Sequence, residues 1–160
     1  MQSDRTANEI AHSNAVREMF SGIAGRYDLL NHVLSANIDK RWRRLVRQDL
    51  AEILANEKAI VLDVACGTGD LSIELKSHAK ARVLGTDFCR PMLDLANEKT
   101  QKLTLGVPYI EADAMQLSFA DESFDAVTIA FGLRNLSNFK DGLAELRRIL
   151  KPGGKLVVLE

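Results

Sequence analysis

Residues 61–70 read Val-Leu-Asp-Val-Ala-Cys-Gly-Thr-Gly-Asp, a short apolar strand that runs into a glycine-rich turn and the start of a helix. Glycine adopts positive φ at little steric cost and lets the backbone approach a ligand closely. A turn of this kind, at the carboxyl end of the first strand of an open α/β sheet, lies at the topological switch point where nucleotide-like ligands bind. The stretch therefore predicts an α/β fold with a ligand site at Gly67 to Gly69.

Short apolar runs alternate with helical segments through the rest of the chain. Helical segments are predicted after Gly69, after Pro91 and over residues 139–150. Parallel strands joined by helices need crossover connections, which give a doubly wound, mostly parallel sheet with helices on both faces. We expect a Rossmann-like core over residues 57–160, with strands at 59–65, 81–88, 107–114, 124–131 and 154–160.

The first third of the chain has a different pattern. Residues 1–12 are polar and lack a period, which predicts a loose N-terminal arm. Apolar residues at helical spacing, from Val16 to Tyr27 and from Trp42 to Leu54, predict a pair of amphipathic helices with a turn at 31–39. We interpret residues 13–160 as a single domain in which residues 13–56 form a helical cap.

Composition excludes several kinds of protein. The 160 residues include 21 Lys and Arg against 22 Asp and Glu, and this balance gives no general attraction to nucleic acid. The two cysteines have neither disulfide-framework nor zinc-site spacing, so we expect no metal and a reducing, cytoplasmic compartment. No stretch approaches the roughly 20 apolar residues of a membrane-spanning helix.

Acidic side chains occur at the ends of three predicted strands. Asp87 ends the second, where a carboxylate can accept both hydroxyl hydrogens of a ribose. Asp113 ends the third, where it can accept from an adenine amino group while the next backbone N–H donates to the ring. Asp63, just before the glycine turn, suits a cationic or amine-bearing ligand such as S-adenosylmethionine. An NAD site is disfavoured because Ser72 replaces the third glycine of the dinucleotide fingerprint.

Four stretches resemble successive motifs of class I S-adenosylmethionine-dependent methyltransferases. They are residues 61–70, 85–87, 111–119 with 124–125, and 148–154. A narrower resemblance is to the ubiquinone/menaquinone biosynthesis C-methyltransferases of the UbiE/MenG type, which include the demethylmenaquinone methyltransferases. It rests on the segment from Tyr27-Asp28-Leu29-Leu30-Asn31 to Trp42-Arg43-Arg44 and on Phe131-Gly132-Leu133-Arg134-Asn135, and it covers about residues 16–160.

The resemblance implies S-adenosyl-L-methionine as cofactor and C-methylation of a polyprenyl quinol. That substrate is demethylmenaquinol, with the benzoquinol of ubiquinone synthesis also open. Arg134 would stabilise the quinolate or orient a water, and Tyr27 would close over cofactor or substrate; on the residues alone, a surface ion pair and a core position are the alternatives. Ala130 stands where the family often has serine. The implied cofactor-binding residues are Asp63, Gly67, Thr68, Gly69, Asp87, Asp113, Ala114 and Ala130.

Members of this family are typically longer and continue beyond the position of Glu160 with helices and a closing hairpin. We therefore expect an uncovered edge at Leu156 to Leu159 that could pair two copies into a homodimer. The basic run Lys40 to Arg47 could approach an anionic membrane, or it could belong to a lid with solvated charges. Another small-molecule methyltransferase and an inactive cofactor-binding fragment are the alternative functions.

Overall fold

The computed structural model describes residues 6–34 and 38–160, except for the side chains of Ala24 and residues 26–34. The strands are β1 Ile60–Val64, β2 Arg82–Asp87, β3 Tyr109–Glu111, β4 Phe124–Ala130 and β5 Leu150–Leu159. All five are parallel and form one sheet in the order β3-β2-β1-β4-β5. The chain builds outward from β1 to β3 and then returns to the other side of β1, so the topological switch point lies between β1 and β4. This confirms the predicted doubly wound sheet.

Six α-helices accompany the sheet within the described residues. A short 3-10 turn, Leu133–Asn135, follows β4. No described helix has the length and apolar character needed to cross a membrane. The helices are α1 Ala7–Leu34, α2 Ile38–Asp49, α3 Ala51–Ala55, α4 Asp70–Lys76, α5 Arg90–Lys102 and α6 Phe139–Ile149.

The expected loose arm over residues 1–12 is wrong from Ala7 onward, because α1 begins there. Thr6 and Glu9 form a reciprocal capping box: the Thr6 backbone N–H donates to Glu9 Oε2 at 2.8 Å, and the Glu9 N–H donates to Thr6 Oγ1 at 3.3 Å. Residues 1–5 lie outside the described residues. The predicted turn at 31–39 is also too long, since α1 continues to Leu34 and α2 begins at Ile38.

The last strand begins earlier than predicted. It starts at Leu150, which pairs with Phe124, and regular pairing resumes only with Lys155 opposite Ala126. The Lys-Pro-Gly-Gly segment between them is accommodated as a bulge in which Gly153 has a φ of 77°.

Side chains of β1 alternate between two apolar layers. Leu62 and Val64 pack with β4 and with Leu146 of α6, whereas Val61 packs with α2, α3 and α4. Helices therefore cover both faces of the sheet, as predicted. Asp63 lies on the same side of β1 as Val61, and this places its carboxylate beneath the start of α4.

Candidate functional site

Two adjoining cavities open at the carboxyl ends of the central strands. The first cavity has about 670 Å³ of empty space, including its open mouth, and the second has about 450 Å³. Four residues border both cavities, and we refer to the two neighbouring cavities together as the crevice; the shared residues are Ala65, Gly67, Ala130 and Phe131.

The glycine turn is held in shape by Asp87. Gly67 and Gly69 have φ values of 55° and 80°, in the left-handed region that favours glycine. The Gly67 N–H donates to Asp87 Oδ2 at 2.8 Å, and the Cys89 N–H donates to Asp87 Oδ1 at 2.9 Å. Burial raises the pKa of Asp87, although these two N–H groups act in the opposite direction. A carboxylate has about four lone-pair sites, so acceptor capacity is left for a ligand in the first cavity.

Tyr109 packs against the β2 and glycine-turn backbone, and sequence reasoning missed it. A Cβ built on Gly85 would lie 2.6 Å from two carbons of the Tyr109 ring, and one built on Gly69 would meet its hydroxyl. Glycine is therefore needed at both positions, because it lets the Tyr109 side chain approach the backbone closely. Burial raises the pKa of the Tyr109 hydroxyl above its usual range, so it stays protonated.

Asp63 belongs to β1, contacts β4 and α4 through its carboxylate, and lines the second cavity. Its Oδ2 accepts from Ser72 Oγ at 2.6 Å, and its Oδ1 accepts from Thr128 Oγ1 at 2.9 Å. The residue is 1% exposed, and this burial raises its pKa to about 6 despite the two hydroxyl donors. Ser72, at the position where a dinucleotide site would have its third glycine, thus partners the buried acid.

The other cofactor-binding residues predicted from the sequence lie around the same crevice. Asp113 and Ala114 line the first cavity, where Asp113 Oδ1 accepts from the Met115 N–H at 2.9 Å. Thr68 lines the second cavity, and its hydroxyl accepts from Lys99 Nζ at 3.1 Å. Gly69 supports the turn at the N-terminus of α4. The structure therefore brings together acids from the ends of β1, β2 and β3.

The two predicted catalytic residues are placed differently. Arg134 lies in the 3-10 turn after β4 with a 62% exposed side chain, and its Nη1 pairs with Glu160 Oε2 at 3.2 Å. Its guanidinium also lies 5.6 Å from the ring centre of Phe131. The ion pair that the sequence left as an alternative is thus present, while the adjacent Asn135 lines the first cavity. Tyr27 belongs to α1, and its side chain lies outside the described residues.

A charged cluster beside the second cavity was also missed. Arg43 Nη2 pairs with Asp39 Oδ2 at 2.7 Å, and its Nη1 lies 3.5 Å from Asp70 Oδ2. Lys99 Nζ pairs with Asp70 Oδ1 at 2.6 Å. A signal was available in the sequence, because Arg43 falls three and seven residues before Val46 and Leu50, on the buried face of the helical pattern.

The strand order, the glycine turn after β1 and the acid at the end of β2 are features of the class I methyltransferase fold. A SAM-dependent methyltransferase from Aquifex aeolicus superposes with a TM-score of 0.59 at 30% identity, over 66% of this chain and 57% of that one. The [4+2]-cyclase SpnF superposes with a TM-score of 0.65 at 29% identity, over 72% of this chain and 44% of that one. A protein named for cyclisation thus shares the fold, which shows that the fold alone does not determine the reaction.

Within that class, the chain belongs to the ubiE/COQ5 methyltransferase family, whose pattern matches residues 8–160. It is 52% identical to a demethylmenaquinone methyltransferase of Deinococcus radiodurans over 91% of this chain, and 54% identical to one of Thermus thermophilus over 89%. It is 44% identical to a ubiquinone/menaquinone biosynthesis C-methyltransferase UbiE of a Geobacter species over 91%. These matches confirm the family predicted from the motifs. The chain spans 60%, 64% and 62% of the lengths of these three relatives.

Proposed function

We propose that this chain binds S-adenosylmethionine in the crevice and supplies the cofactor-binding part of a C-methyltransferase acting on a polyprenyl quinol. The observation that carries the proposal is the convergence of Asp63, Asp87 and Asp113 on one crevice beside a left-handed glycine turn. The names of the relatives favour demethylmenaquinol as the acceptor, and the benzoquinol step of ubiquinone synthesis is the related alternative.

The donors and acceptors of the crevice fit the two ends of this cofactor. In the first cavity, Asp87 has acceptor capacity for ribose hydroxyls, and Asp113 can accept from an adenine amino group. Phe20, Phe88 and Met92 supply apolar surface there. In the second cavity, the carboxylate of Asp63 suits an ammonium group.

The protein's main task in this reaction would be to position the acceptor ring against the methyl donor, not to activate that donor. S-adenosylmethionine, when bound, supplies a methyl group already activated by a positively charged sulfur. The residues that border both cavities are small except Phe131, and they mark the junction of the two halves of the crevice. We place the reacting centre at this junction, where the crevice walls would orient an acceptor ring and exclude water.

Arg134 and Tyr27 stay our proposed catalytic residues. An arginine guanidinium is a cationic hydrogen-bond donor, so Arg134 would stabilise a quinolate electrostatically and would not act as the base. To do so it would exchange its contact with Glu160, which is 3.2 Å away in the structure, for one with the substrate. The hydroxyl of Tyr27 would close over the cofactor or the acceptor.

An apolar stripe on α2 supports a peripheral contact with the membrane that holds the prenyl tail. Ile38, Trp42 and Leu45 are 47%, 37% and 53% exposed at helical spacing, and the basic residues Lys40, Arg41 and Arg44 are exposed on the same helix. The Trp42 ring lies 5.8 Å from that of Phe131, which connects this stripe to the crevice. Pairing of two copies along the edge strand β5 stays a separate prediction.

Calorimetric titration with S-adenosylmethionine, S-adenosylhomocysteine and NAD tests the cofactor. We expect micromolar dissociation constants for the first two, about −7 to −8 kcal/mol, and NAD binding at least about 100-fold weaker. Asp87→Ala should weaken S-adenosylhomocysteine binding about tenfold or more, because it removes a charged acceptor and the partner of the Gly67 N–H. Asp94→Ala is the control, since Asp94 is 60% exposed and pairs with Arg90. Equal binding of NAD would identify a dinucleotide site instead.

Methyl transfer from radiolabelled S-adenosylmethionine tests the acceptor. The assay uses a longer protein that contains this chain and has the full length of its relatives. We expect this protein to methylate demethylmenaquinol, and to methylate unrelated phenols at least about 100-fold more slowly. Comparable rates with the phenols would indicate another small-molecule methyltransferase. Tight cofactor binding without transfer to any acceptor would favour an inactive binding protein.

A further inference from the structure

We infer that Arg43 of α2 binds the carboxylate at the amino-acid end of the cofactor. The inference rests on the proposed function, which puts that end in the second cavity. An amino-acid group brings both an ammonium and a carboxylate, so its site needs a cation as well as the acid that Asp63 provides. Among the described residues that line the second cavity, Arg43 carries the cationic side chain.

The guanidinium of Arg43 is held in place before any ligand arrives. Its side chain is 13% exposed, and Nη2 contacts Asp39 Oδ2 at 2.7 Å, where the Asp39 side chain is 5% exposed. A planar guanidinium fixed on one edge can present its other N–H groups to a carboxylate in a bidentate arrangement. The contact with Asp39 therefore acts as a support that orients Arg43 toward the cavity.

The second contact of Arg43 can be exchanged. Nη1 is 3.5 Å from Asp70 Oδ2, which is beyond the usual range of an N–H···O hydrogen bond. Asp70 keeps a shorter contact with Lys99, whose Nζ is 2.6 Å from Oδ1. A ligand carboxylate could replace Asp70 at Nη1 without leaving Asp70 unpaired.

This placement also links the cap to the glycine turn. Arg43 belongs to α2, whereas Gly67, Thr68 and Asp70 belong to the turn after β1 and the start of α4. A ligand carboxylate on Arg43 would therefore bridge the two parts. Arg47, one turn further along α2, makes a similar link to α4 through Glu74 at 2.9 Å, but it is not among the residues that line the second cavity.

A pair of ligands separates direct binding from a structural role. S-adenosylhomocysteine carries the amino-acid end, and 5′-methylthioadenosine has the same adenosine and sulfur without it. We expect Arg43→Gln to weaken S-adenosylhomocysteine binding about tenfold or more and to change 5′-methylthioadenosine binding less than about twofold. Arg47→Gln, the matched control, should change neither by more than about twofold.

Three outcomes would overturn the inference. Unchanged S-adenosylhomocysteine affinity in Arg43→Gln would show no contact, and equal losses for both ligands would show a structural role. Failure of the parent protein to bind S-adenosylhomocysteine would overturn the proposed function itself, which keeps the two failures distinct. If Arg43→Gln does not fold, Arg43→Lys serves instead, since lysine keeps the charge but lacks the planar, bidentate guanidinium. In this variant the affinity for S-adenosylhomocysteine should still fall relative to that for 5′-methylthioadenosine by about threefold or more.

Discussion

Asp63→Asn is expected to become more stable relative to the parent by about 2.4 kcal/mol as the pH rises from 4 to 7.5. Burial raises the pKa of Asp63 from its ordinary 3.8 to about 6. Between these values the folded parent holds a proton that the unfolded chain has released. The parent therefore loses stability as the pH rises through this window, and the loss is nearly complete by about pH 7. The asparagine variant has no such proton.

Asparagine fits the site of Asp63 without leaving its partners unpaired. Its carbonyl can accept from the Thr128 hydroxyl, and its amide can donate to Ser72 Oγ, which now donates to the acid. Denaturant titrations of both proteins at several pH values give the difference in unfolding free energy. Contributions from acids that do not interact with Asp63 cancel in this difference, and Asp94→Asn provides an exposed control with an expected change of a few tenths of a kcal/mol. Parallel pH profiles for parent and Asp63→Asn would contradict the prediction.

Gly85→Ala is expected to destabilise the protein by about 3 kcal/mol, the upper part of the range for overpacked sites. Its Cβ would lie 2.6 Å from two carbons of the Tyr109 ring and 3.0 Å from Cys66 Sγ. Tyr109 sits directly opposite Gly85 in the parallel pairing of β2 with β3, so strand register limits how far the ring can move. Equilibrium unfolding in denaturant measures the loss.

Two further variants make this prediction specific. Gly106→Ala should change stability by less than about 1 kcal/mol, because a Cβ at Gly106 meets nothing within 4 Å. In a Tyr109→Leu background the smaller side chain leaves room, and Gly85→Ala should then cost at least about 1 kcal/mol less than in the parent. Additive effects of Gly85→Ala and Tyr109→Leu would show that the tyrosine ring is not what the new methyl group meets.

The features predicted from the sequence were those determined by local patterns. Apolar runs and helical spacing indicated the strands, and Asp87 and Asp113 were assigned to one edge because the carboxyl ends of parallel strands meet there. The start of α1 is also a local feature, because the spacing of the Thr6 and Glu9 capping box is visible in the sequence.

Other features depend on distances between elements that are far apart in sequence. The approach of Arg43 to Asp70 requires the packing of α2 on α4, and the contact of Tyr109 with Gly85 requires the register of β3 beside β2. Neither distance follows from the spacing of residues along the chain. The exposed position of Arg134 is a similar case, since its partner Glu160 follows β5, on the neighbouring strand of the sheet.

The contact between Asp87 and the Gly67 N–H has a consequence for the cost of binding. Asp87 Oδ2 accepts from the Gly67 N–H at 2.8 Å. The turn therefore has its shape in the folded protein before a ligand binds. A ligand that enters the crevice meets a preorganised loop and loses little affinity to ordering it. The carboxylate that we propose binds a ribose thus also reduces the conformational entropy that the turn would lose on binding.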